Sequence, residues 1–384
     1  MSDERIDGRR ELLAALLASA GALCWARRAA AQDRAGGAAI DAGPPAGLAG
    51  APARWWRNAG ELRVECELCP HRCRVADRER GTCGVRENRG GSYVTLVHSR
   101  PCAMHVDPIE KKPFYHVLPG SSAFSLAAPG CNLQCKHCQN WEISQVRPEQ
   151  VQTHARSPAE IVALARREKC PTIACTYSEP TVWSEYVYDL AVAGKQAGLR
   201  TLSVTNGFIE RAPMSDLAGV LAAVKVDLKA FTERFYREIC GGRLAPVLDT
   251  LRLLRQRGVW TEIVTLLIPG LNDGEDEARR LARFVRADLG PDVPLHFTRF
   301  SPTYRLTNVP ATPVATLTRA RDAALAEGLR FVYVGNVSGH AGNHTYCPKC
   351  RAILIRRVDV VVVKNRLKSG RCPDCGEAIP GIWS

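Results

Sequence analysis

The chain has 384 residues, 46% of them hydrophobic and 24% charged, with a formal net charge of +13. That length holds one large domain of about 200–250 residues plus smaller modules, and the composition is globular, which excludes disorder as the seat of function. The basic excess admits an acidic partner, such as nucleic acid or an acidic protein face, although metal-bound thiolates would offset part of it.

At the N-terminus, Arg9-Arg10, an apolar run through Trp25 and Ala29-Ala30-Ala31 follow one another. This order resembles a twin-arginine export leader over residues 1–31, and the run is too short to cross a bilayer. The leader predicts export to the periplasm; the alternative is a plain tail on a cytoplasmic protein. Residues 1–53 carry six basic and six acidic side chains, so the net charge lies in the rest of the chain. Residues 32–60 read as a linker, rich in Ala, Gly and Pro as far as 53.

Sixteen cysteines follow a grouped pattern. Short C-x2-C and C-x3-C spacings suit metal ions better than a disulfide framework. The first group, Cys66, Cys69, Cys73 and Cys83, lies in a Cys-rich segment over 61–120 that also contains His71. Its uneven spacing suits either zinc or an iron–sulfur cluster, and both readings stay open. Cys24, Cys102, Cys170, Cys175 and Cys240 stand apart and read as buried or surface thiols.

From residue 121 a regular alternation begins. Apolar, β-branched runs predict strands at 122–127, 172–177, 201–205, 223–228, 261–268 and 295–300. Helical stretches lie between them, including 157–168, 181–197, 244–257 and 274–289. Repeated strand–helix units imply an α/β fold with a parallel sheet and right-handed crossovers. The expectation is a partial (β/α)6 TIM-like barrel over 121–335, with reactive groups where strands end and loops begin. A further apolar run, 330–334, leads towards the C-terminal cysteines.

The loop after the first of these strands reads Pro129-Gly130-Cys131-Asn132-Leu133-Gln134-Cys135-Lys136-His137-Cys138-Gln139-Asn140. Three thiolates on one loop can bind three irons of a cubane cluster and leave the fourth iron open to a small molecule. The plainer alternative is a zinc site completed by His137. In the C-terminal module, 336–384, Cys347-Pro348-Lys349-Cys350 and Cys372-Pro373-Asp374-Cys375 bracket a strand-like stretch, 353–363. Two such knuckles predict a zinc ribbon, with rubredoxin-like iron or disulfides as alternatives. With eight basic and three acidic side chains in 347–384, the module could grip nucleic acid; the other reading is that it caps the barrel and organises the C-terminus.

C-x3-C-x2-C after the first strand of a β/α series resembles the signature of the radical S-adenosylmethionine (SAM) superfamily. The resemblance implies a [4Fe–4S] cluster on Cys131, Cys135 and Cys138 that binds SAM through its amino and carboxylate groups. One electron then cleaves SAM to methionine and a 5′-deoxyadenosyl radical, which abstracts hydrogen from substrate. In Thr176-Tyr177-Ser178-Glu179-Pro180-Thr181 only Glu179-Pro180 matches the superfamily's Gly-Gly-Glu-like motif, implying that Glu179 meets the SAM amino group; its alternative is a helix cap. Thr205-Asn206-Gly207 resembles a ribose-contacting turn, which makes Asn206 a candidate. Lys225-Val226-Asp227-Leu228-Lys229 resembles the Asp-Leu-Lys segment of pyruvate formate-lyase-activating enzymes, which adds Asp227 and Lys229. Ile268-Pro269-Gly270-Leu271-Asn272-Asp273 stands where those enzymes approach adenine.

Cys69-Pro70-His71-Arg72-Cys73, Glu110-Lys111-Lys112-Pro113, His116, Cys138-Gln139-Asn140-Trp141 and Ile379-Pro380-Gly381-Ile382-Trp383 resemble the AmmeMemoRadiSam-system radical SAM enzymes, relatives of the glycyl-radical-enzyme activases, over residues 60–384. The resemblance implies a low-potential electron donor and hydrogen abstraction from a protein or other bulky substrate. By their number and spacing, the N-terminal cysteines could hold zinc or a second [4Fe–4S] cluster that relays electrons. Two rivals are a radical SAM RNA-modifying enzyme and a non-enzymatic, metal-stabilised nucleic-acid binder. SAM and low-potential electrons are cytoplasmic supplies, which sets this chemistry against the leader.

Overall fold

The computed structural model describes residues 48–384; the leader-like segment 1–31, with the expectation of export built on it, lies outside them. The described chain begins with two small antiparallel sheets. One joins β1 (Ala51–Pro52), β5 (Arg86–Arg89) and β6 (Ser92–Thr95); the other joins β2 (Trp56–Asn58), β3 (Val64–Cys66) and β4 (Arg74–Val75). An eight-stranded sheet follows: β7 (Ala103–Pro108), β8 (Ser122–Ala127), β9 (Thr172–Cys175), β10 (Arg200–Thr205), β11 (Ala223–Asp227), β12 (Trp260–Leu267), β13 (Leu295–Arg299) and β14 (Val332–Gly335). These strands lie side by side in sequence order, and β7 and β14 form the two edges, so the sheet does not close.

The six expected strands all pair in parallel, and helices such as Pro158–Arg167, Ser184–Gln196 and Leu244–Gln256 make the crossovers. The expected count of six falls short by one. The apolar run near 330 is a seventh parallel strand, β14, reached through the helix Val314–Ala326 and paired to β13. An eighth strand, β7, lies within the stretch read as Cys-rich and pairs antiparallel to β8. It is a half-exposed edge strand containing His105 and Asp107, so its hydrophobic alternation is weak.

Alternation within the strands divides the sheet into two faces. In β11, Val224 and Val226 enter the main core with the helical Leu251 and Leu254, while Lys225 between them points to the opposite, inner face. There Lys225, Glu262, His296 and Tyr333 form a polar layer on β11 to β14, towards the N-terminal ends of the strands. The Glu262 carboxylate accepts from Tyr115 N at 3.0 Å, His116 N at 2.9 Å and His296 Nε2 at 2.8 Å.

The C-terminal module closes this end. β15 (Thr345–Tyr346), β16 (Ile353–Val358) and β17 (Val361–Asn365) form an antiparallel sheet. Arg357 of β16, fully buried, donates to the carbonyl of Tyr115 and lies 3.4 Å from the buried Glu110. Ile382 exchanges two backbone hydrogen bonds with the 116–118 segment. His116 Nδ1 donates to the carbonyl of Pro380, which leaves Nε2 to accept from the Tyr333 hydroxyl.

That arrangement requires a neutral imidazole. Burial holds His116 down to about 4 and His296 down to about 3, against an ordinary value of 6.5. Between about pH 6.5 and 4 the unfolded chain therefore binds protons that the folded chain refuses, so stability falls as pH drops through that window. Denaturant unfolding from pH 7 to 5 should show a loss of about 2 kcal/mol per histidine. In His116→Asn the slope should fall by about half, since His296 remains. A flat profile would mean that these rings are charged in the folded protein.

Candidate metal and cofactor site

The loop that leaves β8 turns at Gly130, whose φ is +99°. A Cβ there would stand 2.6 Å from Val85 Cγ1 and 3.1 Å from the carbonyl oxygen of Cys83, so both the angle and the space demand glycine. Beyond it the loop is held mostly by its backbone. Gln134 N and Lys136 N donate to the carbonyls of Cys240 and Ile239, and Arg305 N donates to the carbonyl of Lys136. Gln145 Nε2 donates to the Leu133 carbonyl, and Asn132 Nδ2 to that of Phe208.

Cys131, Cys135 and Cys138 are thereby fixed on a loop at the C-terminal end of the parallel sheet. Burial pushes the Cys131 and Cys138 thiols up. Cys135 is shifted down, first by a hydrogen bond with the Cys240 thiol and then, against burial, by the Lys229 ammonium. Cys240 ends a turn of π-helix, Tyr236–Cys240; nothing in its spacing distinguished it from a spare core thiol. Lys229 sits between the Asp227 carboxylate, 3.2 Å away, and these sulfurs; burial opposes its charge, and those anionic neighbours outweigh it and hold it protonated.

The other candidates converge on the same end. Glu179, after β9, is fully buried and uses both carboxylate oxygens: Oε1 accepts from Thr181 N at 2.9 Å and from the Thr205 hydroxyl, and Oε2 accepts from Asn206 N at 2.8 Å. It therefore caps the short helix Pro180–Trp183 and also ties β9 to β10. A carboxylate has about four acceptor positions, so one remains for a ligand. Asn206 is drawn into the cysteine loop: its Nδ2 donates to Asn132 Oδ1 at 2.8 Å and lies 3.8 Å from Cys131 Sγ, while its Oδ1 accepts from Phe208 N. Asn272 is similarly occupied, bridging Ile268 N to the carbonyls of Lys229 and Leu266.

His137 sits in the loop with its Nδ1 buried and unpartnered, and burial holds its pKa near 3. It does not close a compact four-ligand set with the loop thiols. Among the described residues, the only group of three or more metal-type ligands whose atoms all lie within 4.8 Å of one another is Cys347, Cys350, Cys372 and Cys375. The loop thiols do not form such a compact set. Three such thiols, with an amide donor and an ammonium beside them, fit a [4Fe–4S] cluster. In the C-terminal group Cys347 and Cys375 sulfurs are 3.5 Å apart, and those of Cys350 and Cys372 3.6 Å. All cysteines among the described residues, these four included, are free thiols. Cys66, Cys69, Cys73 and Cys83 line one cavity of their own.

The profile of the Radical SAM superfamily matches residues 126–282. An uncharacterized protein of Methanocaldococcus jannaschii is 42% identical over 329 residues, covering 85% of this chain and 98% of that one. Pyruvate formate-lyase 1-activating enzyme of Escherichia coli strain K12 is 27% identical over 165 residues, 42% of this chain and 67% of that protein. Among solved structures, a radical SAM methyltransferase from Sphaerobacter thermophilus aligns with a TM-score of 0.46 at 18% identity, over 59% of this chain and 70% of that one. With its cysteine loop at the end of β8 and the matching profile across the sheet, the chain belongs to the radical SAM superfamily.

Proposed function

We propose that this protein is an activating-enzyme-like radical SAM enzyme that takes a hydrogen atom from a protein or other bulky substrate. The observation that carries the reading is the convergence of Cys131, Cys135 and Cys138 with Glu179, Asn206, Asp227 and Lys229 at one end of the sheet. A [4Fe–4S] cluster on the three cysteines, fed by a low-potential electron donor, supplies the reductive cleavage of SAM to a 5′-deoxyadenosyl radical. Glu179 offers its remaining acceptor position to the SAM ammonium, and the Asp227–Lys229 pair presents one charge of each sign to the zwitterion. Lys229 also offsets the negative charge of the thiolates.

Two observations support a bulky substrate. The N-terminal end of the sheet is plugged by the C-terminal module, which leaves access to the cysteine end. Beside the loop, the exposed Trp141 stacks on Tyr304 with centroids 5.3 Å apart, an aromatic surface that can receive a side chain. The relative from Escherichia coli acts, by its name, on another enzyme. The C-terminal cysteines, in turn, form a zinc ribbon. Tetrahedral zinc with bonds of 2.3 Å sets sulfurs about 3.8 Å apart, close to the spacing across Cys347–Cys375 and Cys350–Cys372.

Three outcomes follow from these assignments. After anaerobic reconstitution and reduction with SAM, the protein should form 5′-deoxyadenosine, and Cys131→Ala, Cys135→Ala or Cys138→Ala should each abolish it while circular dichroism stays native. Product from any of the three would sink the assignment. For Glu179→Gln, SAM affinity should drop at least about tenfold, and unfolding free energy should fall by about 1–3 kcal/mol, because backbone donors of Thr181 and Asn206 would meet an amide group. Unchanged affinity with lowered stability would reduce Glu179 to a cap. The full-length protein should also carry about one zinc on the ribbon, and chelation should loosen β15 to β17 in hydrogen exchange before the sheet opens; native protein with no zinc refutes it.

A further inference from the structure

We infer that the cavity bounded by Cys66, Cys69, Cys73 and Cys83 is a second iron–sulfur site, which holds a four-iron cluster and not a zinc ion. This assignment stands on the N-terminal residues and, for its choice of metal, rests on the reading of the loop after β8 as a cluster site and of the ribbon as a zinc site.

The four thiols come from separate pieces of chain. Cys66 ends β3, Cys69 lies in the following turn, Cys73 precedes β4, and Cys83 comes from the turn before β5. All four line the same cavity, with Arg86 and Tyr93 in its wall. Both of those side chains carry a buried donor without a well-formed hydrogen bond: Arg86 Nε, and the Tyr93 hydroxyl, which lies against the Cys66 thiol. Arg86 has no exposed surface, and its other two nitrogens are already engaged by Glu185 and the carbonyl of Arg54. A buried donor left unpaired costs about 1–3 kcal/mol. Two such donors facing one cavity of thiols mark the place of an acceptor, and the sulfurs of a cluster are acceptors that protein hydrogen bonds characteristically reach. Gly81 completes the wall: a Cβ there would lie 3.1 Å from the Tyr93 hydroxyl and 3.5 Å from Cys73 Sγ.

The separation of the thiols selects the metal. Zinc needs sulfurs about 3.8 Å apart, and the C-terminal ribbon is set to that spacing. Among the described residues the ribbon is the compact set of metal-type ligands, and neither the N-terminal thiols nor those of the loop after β8 form another. Within one molecule, then, the N-terminal set matches the cluster loop and differs from the ribbon. In a cubane each thiolate binds a different corner iron, which keeps the sulfurs apart.

The site also stands directly behind the barrel loop. His71, between Cys69 and Cys73, donates from Nε2 to the carbonyl of Asn132 at 2.7 Å. The carbonyl of Cys83, with Val85 Cγ1, crowds the place a Cβ on Gly130 would take. Each of these contacts joins a residue of the N-terminal cluster segment to a neighbour of Cys131.

The test uses the full-length protein, reconstituted anaerobically with iron and sulfide in the presence of zinc. Native protein should hold about eight irons, and a Cys131→Ala, Cys135→Ala, Cys138→Ala variant about four, with a [4Fe–4S] Mössbauer spectrum. Adding Cys69→Ser and Cys83→Ser should remove those four irons and leave the ribbon zinc. Iron-free triple-variant protein carrying about two zinc ions overturns the proposal. Because cysteine variants can misfold, Tyr93→Phe provides a second reading in the triple-variant background. It keeps all four ligands, so iron content should stay the same, while loss of a hydrogen bond to sulfur should lower the cluster's reduction potential. An unshifted potential would overturn the placement of the cluster against Tyr93.

Discussion

The buried carboxylate of Glu262 is the constraint on which the rest of the structure depends. Removing an ion from water costs several kcal/mol even after relaxation, and at Glu262 that cost is offset by four neutral donors. Two are backbone N–H groups, of Tyr115 and His116, and the others are the His296 imidazole and the Trp260 indole. Burial alone would raise this carboxyl, yet these partners hold it well below the usual carboxylate range. Lys225 stands 3.9 Å away and hydrogen-bonds the carbonyl of Pro113; burial holds it down to about 7, and its charge follows the His296 hydrogen bond in lowering the Glu262 carboxyl. Because two of those donors are backbone groups, the 113–117 segment cannot move without stranding the charge.

That fixed segment determines what happens at both ends of the sheet. It presents His116 and Val117 to the C-terminal tail, which pairs with them through Pro380 and Ile382. It presents the carbonyl of Tyr115 to Arg357, which also reaches Glu110. The ribbon and tail are thus fastened to the N-terminal ends of the strands, and the open chemistry is left at the other end. Several residues that carried the family resemblance belong to this fastening: Glu110 and His116, and the closing residues 379–383. Lys112 of the same run pairs with Asp107 on β7 and lies over the Tyr177 ring, so it braces the edge strand inside the sheet.

At the cysteine end, residues that read as separate motifs turn out to be one hydrogen-bonded unit. Glu179 and Asn206 come from loops after adjacent strands, and their bond joins those loops before any ligand binds. Asn206 then reaches both Asn132 and Cys131. The two readings of Glu179, helix cap and ligand carboxylate, are compatible because a carboxylate has more acceptor positions than the cap uses. Cys240 and Lys229 show the limit of spacing as a signal. Lys229 belonged to a recognisable segment, whereas Cys240 stands beside Cys135 only because the π-helical turn returns to the loop and bonds its backbone.

The sequence by itself determined the strand–helix alternation, the parallel sheet, the three grouped sets of cysteines and the family. Those features are local: hydrophobic period, turn residues and ligand spacing are written within a few residues of one another. Tertiary structure decided the seventh parallel strand and the antiparallel edge strand β7, whose half-exposed pattern carries little period. It also decided the partners of Glu262 and the thiol beside Cys135. Above all it decided that the C-terminal cysteines form a compact set, which C-x2-C spacing alone cannot express. These are distances between segments far apart in the chain, and only packing brings such segments to a common point.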